Sequence, residues 1–99
     1  MPLFAVRCID AEGSAPLRQQ HLAAHLAHVE ANMARYRIAG PLSPTGSLLV
    51  IEAADADDAR AFIMADPYGL AGVWRDVIIE GFMAAAGTWV GGAAWKAPR

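Results

Sequence analysis

The chain has 99 residues, enough for one domain with one core of modest size. Its 8 Lys and Arg nearly balance 10 Asp and Glu, and no basic run occurs, which excludes nucleic acid as a partner. Apolar residues make up 56% of this short sequence, more than one small core covers, which points to burial against a second copy and hence a homodimer.

Met1 to Phe4 has neither a basic stretch nor a long apolar run, so no signal peptide is expected and the cytoplasm is the default location. Leu3 to Ile9 reads as a strand, ended by the turn signals of Asp10 to Gly13. Cys8 lies within it, and with no second cysteine it reads as a small buried residue. Pro16 permits a helix start, and the segment to about Arg35 repeats Leu22, Leu26, Val29 and Met33 at helical spacing, which predicts a buried apolar face. Tyr36 to Ala39 is a short strand. Gly40 to Gly46, with two prolines and two glycines, is a loop, and Ser47 to Glu52 is a buried strand.

Asp55 is placed to cap a second helix, with Asp57 and Asp58 in its first turn, where the helix dipole favours negative charge. Ala59, Phe62 and Ile63 supply its apolar face, and Pro67 stops it at about Ala65. Asp66 then caps a short turn that starts with Pro67. Asp76 to Met83 returns to strand. The residues from Gly81 to Trp95 are uncharged but fall short of the ~20 a membrane-spanning helix needs, so no membrane partner is expected. The order β-α-β, Pro/Gly loop, β-α-β predicts an α+β fold, a ferredoxin-like βαββαβ sandwich over residues 1–83. Residues 84–99 form a tail whose Trp89 and Trp95 are expected to pack on the domain or on the partner chain. The strands are apolar at nearly every position, so the sheet face not covered by helices is expected to meet a second sheet.

At ~100° per residue, Arg18, His21, His25 and His28 share one shoulder of the first helix, with Arg18 and His25 nearest the buried face and His21 and His28 nearer solvent. A half-buried histidine near an arginine suits proton transfer near neutral pH, and a boundary histidine that only packs is the plainer reading. His21 and His25 have the i, i+4 spacing of zinc ligands, but Leu22 stands where the metalloprotease motif needs Glu and no third ligand is indicated, so no metal is expected. Asp66 reads locally as a cap, a role compatible with facing a histidine. Arg7, among apolar strand residues, either lies at an edge or points into a polar cleft as an anion anchor.

Taken in order, Arg18, His25-Leu26-Ala27-His28, Glu30-Ala31-Asn32, Ala39-Gly40-Pro41-Leu42, Gly46-Ser47-Leu48-Leu49-Val50, Ala59-Arg60-Ala61, Asp66-Pro67-Tyr68 and Ala71-Gly72 resemble the YciI-like (YCII-related) family over residues 3 to 83. The resemblance implies a ferredoxin-like fold that pairs into a dimeric α/β barrel. It also implies a His–Asp pair in a cleft, falling here on His25 and Asp66. Many relatives carry an arginine three residues before that histidine, where this chain has Leu22, and the Trp-containing tail is not part of the usual pattern. With Arg7, Arg18 and Tyr68 as candidate substrate-binding residues, two functions are in view. One is a cofactor-independent lyase or isomerase acting on an aromatic or lactone-like small molecule. The other is a non-catalytic ligand-binding or stress-response module using the same cleft.

Overall fold

The computed structural model describes residues 1–96. Strand β1 (Leu3–Asp10) leads into helix α1 (Ala15–Ala31), and β2 (Tyr36–Pro41) and β3 (Ser47–Glu52) form a hairpin. Helix α2 (Ala56–Met64) and the short α3 (Pro67–Ala71) precede β4 (Trp74–Phe82). The four strands make one antiparallel sheet in the order β2-β3-β1-β4, with β1 and β3 central. This is the ferredoxin-like α+β sandwich. Both central strands are largely apolar on both faces, and β2, which carries Gly40 and Pro41, lies at an edge, where a missing ladder donor is tolerated.

Side chains alternate across the sheet, with register shifts at Ile9/Asp10 of β1 and between Tyr36 and Ile38 of β2. Val6 and Cys8 of β1 and Leu49 and Ile51 of β3 point into the core, with Val77 and Ile79 of β4 packed beside them. Helix α2 closes this core with Ala59, Phe62 and Ile63. Asp55 caps it by accepting from the Asp58 amide at 2.8 Å. At the β2–β3 turn Gly46 is required twice over: its φ is +95°, and a Cβ there would stand 2.7 Å from the Cys8 carbonyl oxygen.

Helix α1 departs from expectation. It ends at Ala31 rather than near Arg35, with Met33–Arg35 forming a separate 3-10 turn. It buries no residue fully, and Leu22, Leu26 and Met33 of its expected buried face are exposed. The inward edge is instead Leu17, Arg18, His21, His25, His28 and Val29, all half-buried. His28 is therefore not near solvent: its ring packs against Phe62 and its Nε2 is buried without a hydrogen-bond partner among the described residues. The physical reason is that the domain presents Asp10, Asp66 and the Tyr68 ring to this helix, and its cationic and aromatic edge turns toward them.

The chain after β4 folds back on itself as a two-stranded hairpin, Ala86–Gly87 (β5) against Gly92–Ala93 (β6), and the Ala94 amide donates to the Ala85 carbonyl at 2.7 Å. Trp89 is 84% exposed and Trp95 72% exposed on this chain. The last three residues of the tail lie outside the described ones. Among the described residues no helix is long and apolar enough to cross a membrane.

Candidate active site

The site is built where α1 meets α3. Pro67 ends the preceding backbone and starts α3, leaving Asp66 extended at the N-cap, where its Oδ1 accepts from the Tyr68 amide at 2.8 Å. Both carboxylate oxygens also stand 2.8 Å from His25 Nδ1. One carboxylate thus caps a helix and holds a histidine. Its side chain is only 4% exposed, against 20% for His25. A carboxylate can only accept, so Nδ1 carries the donated proton, and in the neutral imidazole Nε2 keeps its lone pair. Nε2 has no hydrogen-bond partner among the described residues, and His25 lines an open cleft.

Tyr68 fixes the ring plane. The His25 imidazole stacks on it with centroids 3.9 Å apart and planes 6° from parallel. Burial raises the Tyr68 hydroxyl above the usual tyrosine range, so it stays neutral, and it donates to the Arg18 carbonyl at 3.3 Å. The α3 helix stops at Gly72, whose φ of +82° ends the turn sharply, and the chain passes at once into β4. That brings Trp74 edge-on to Tyr68, with centroids 6.1 Å apart.

Arg18 completes the polar side. Its Nε donates to Asp10 Oδ2 at 2.7 Å, and one terminal nitrogen donates to Asp10 Oδ1 at 3.0 Å and to Ser47 Oγ at 3.1 Å. The Asp10 hydrogen bond raises the guanidinium above its already high range, so it stays charged. The guanidinium also lies over the Tyr68 ring, 5.0 Å from its centroid. The rest of the lining is apolar, made by Leu22, Leu26 and Val29 beside His25 on α1 with Leu49 of the sheet, and the edge of β2 closes one side. The cleft has a volume of about 270 Å³. A hollow of about 470 Å³ adjoins it across Arg18 and Pro41, ringed by the β1–α1 and β2–β3 loops; it lacks His25 and Tyr68.

Of the residues singled out in the sequence, His25, Asp66, Arg18 and Tyr68 meet here. Arg7 does not. It alternates with Val6 and Cys8 and so lies exposed on the opposite face of the sheet, between Leu48 and Ile78. Asp10, Ser47 and Trp74 were not foreseen. Asp10 was detectable in principle, because a half-buried arginine needs a carboxylate and Asp10 ends the strand just before the helix that carries Arg18. Nothing local marks Ser47 or Trp74, which reach the cleft only through strand pairing. Cys8 lies beneath the site, its thiol pushed up to about 12 by burial first and by Asp66 second, which makes it an unreactive neighbour.

A family model for the YCII-related domain matches residues 2–83. The chain belongs to the YCII-related family. Among solved structures, the family member is similar to 5-chloro-2-hydroxyhydroquinone dehydrochlorinase from Burkholderia phenoliruptrix AC1100, determined in complex with 2,5-dihydroxybenzoquinone. The two share 31% sequence identity and superpose with a TM-score of 0.77, covering 87% of this chain and 96% of the other. No curated protein matches the chain significantly.

Proposed function

We propose that this YCII-related protein is a small-molecule enzyme of lyase or isomerase type that works without a cofactor on a single-ring, oxygen-bearing substrate, aromatic or lactone-like. One observation carries the reading: His25 Nδ1 is held by both oxygens of a buried Asp66 while Nε2 is left open to an apolar cleft. This is the tautomer of a general base. Nε2 takes a proton from a substrate hydroxyl or an activated carbon, and the carboxylate stabilises the imidazolium that forms. Arg18, charged and lining the cleft, would donate to a substrate oxygen. Leu22, Leu26 and Val29 offer an apolar wall for a ring, and the similar dehydrochlorinase with its bound quinone supports that substrate class.

The same reading takes the protein as a cytoplasmic homodimer. Ile38, Leu48, Ile78 and Phe82 stand exposed on the helix-free sheet face, which a second sheet would cover. The tail would pack on the partner chain, where Trp89 and Trp95 lose their contact with water. Cys8, single and buried, is at home in a reducing compartment.

The test is a turnover screen of substituted hydroquinones, catechols and unsaturated lactones, followed by absorbance, with His25→Gln beside the wild type. A compound consumed by the wild type and not by the variant supports the proposal. Binding without turnover in the wild type, or equal turnover in both, overturns it in favour of a ligand-binding module.

A further inference from the structure

The helix-free face of the sheet is apolar at its centre and charged at its margins. At those margins the charges are already matched: Arg37 bonds Glu52 at 2.8 Å and Arg75 bonds Asp76 at 2.8 Å. Two charges differ. Arg7 projects from central strand β1 between Leu48 and Ile78, and Glu80 projects from β4 opposite Ala5. Both are exposed, and neither has an ion pair or side-chain hydrogen bond among the described residues. They are diagonal neighbours across the β1–β4 pair, at a spacing long side chains can bridge, yet they do not bond within the chain.

We infer that Arg7 and Glu80 form an ion pair in trans, with Arg7 of each protomer bonded to the partner subunit's Glu80 across two sheets packed face to face. The inference rests on the homodimer reading above and adds what sets its register. Covering Ile38, Leu48, Ile78 and Phe82 against a copy removes water from Arg7 as well, because it stands among them. A desolvated charge without a partner strongly opposes association, so an assembly that buries this face must answer Arg7 with an anion. The face supplies one cation and one anion per chain, at adjacent positions. A two-fold axis passing between them brings each against its opposite on the other chain, twice per dimer, which is the self-complementarity an isologous interface requires. The guanidinium also suits a buried pair better than an ammonium, since its fork can bind a carboxylate bidentately. Arg7 is then a specificity device of the interface and not an anchor for substrate.

The experiment is a charge swap read by sedimentation velocity at micromolar concentration. Arg7→Glu and Glu80→Arg are purified separately, with circular dichroism to verify the fold of each; both positions are solvent-exposed in the protomer. Each variant alone sets like charges against each other and is expected to dimerise at least about tenfold more weakly than the wild type. Mixing the two is expected to restore a dimer, because each of the two contacts then again sets one cation against one anion. Variants as tightly dimeric as the wild type would overturn the pair while leaving the dimer standing. Rescue in the double variant Arg7→Glu/Glu80→Arg without rescue on mixing would mean a pair within one chain and would also overturn it. A monomeric wild type would instead remove the homodimer reading on which the inference rests. Should either variant misfold, Arg7→Gln and Glu80→Gln take its place, and equal weakening by both, without further loss in the double variant, is the supporting result.

Discussion

Helices α1 and α2 lie on the same face of one sheet and are held there by opposite means. Helix α2 sinks Ala59, Phe62 and Ile63 into the core behind an aspartate cap. Helix α1, nearly twice as long, buries none of its residues and is tied down by the Arg18–Asp10 pair, the His25–Asp66 pair and the Tyr68 ring between them. The shorter helix carries stability. The longer one leaves Leu22 and Leu26 unsealed, so that a cleft stays open behind the histidine. A fully packed α1 would fill the site it serves, which is why its polar attachments sit at one edge and its leucines at the other.

The largest effect that separates the two helices is on turnover. Replacing His25 with Gln is expected to lower kcat by roughly 10²–10⁴-fold, as removal of a general base does, and to lower the unfolding midpoint less than Phe62→Ala, because the glutamine amide can still donate to Asp66. Asp66→Asn retains a capping oxygen but weakens the hold on Nδ1, so it is expected to lower kcat with a smaller loss of stability than Asp66→Ala. Kinetics and urea titration on the three variants check both statements.

Next in size is the core of α2. Phe62→Ala is expected to cost about 3–5 kcal/mol of folding stability, because it deletes a buried ring contacted by Tyr36 and His28 and spanned by Arg35. Leu26→Ala on α1, at 47% exposure, is expected to change stability by less than about 0.5 kcal/mol and to raise KM instead. Equal destabilisation by the two substitutions would show that α1 is as firmly packed as α2 and would break the contrast.

Alkaline pH sharpens it further, since it acts on two groups of the core and spares the Arg18 guanidinium that ties down α1. Burial pushes Cys8 from 9.0 to about 12 and Tyr36 from 10.0 to about 12. In the unfolded chain these groups ionise first, so above pH 9 the unfolded state holds fewer protons and folding stability falls until pH 12 is passed. Urea midpoints are expected to drop between pH 8 and pH 11, with a shallower drop in Cys8→Ala. At pH 8 the Cys8 thiol is expected to resist alkylation until the chain unfolds. Smallest is the cap of α2: Asp55→Ala is expected to cost about 1 kcal/mol by urea titration, leaving turnover unchanged.

Much of the architecture was legible from periodicity and punctuation. The strands around Val6, Leu49 and Ile78, the Asp55 cap, and the stop at Pro67 with Asp66 before it are local events, decided by apolar runs, by a side-chain oxygen near free amides and by a ring that fixes φ. The residues matching the YCII-related pattern added the pairing of His25 with Asp66, which local spacing leaves open. The same kind of reading misjudged α1. Its leucine stripe looked like the buried face and its histidines like the boundary, because periodicity finds a stripe without finding what faces it.

The sequence by itself determined the strand and helix order, the caps, the single buried thiol and the candidate pair, since each depends on neighbours a few residues away or on a recurring family pattern. Only the tertiary structure decided how α1 is rotated, where Arg7 points, that Asp10 grips Arg18, and that Ser47 and Trp74 line the cleft. Those outcomes depend on partners brought from distant strands, and on a two-residue alternation in which one step carries a side chain from the cleft side of the sheet to the helix-free face.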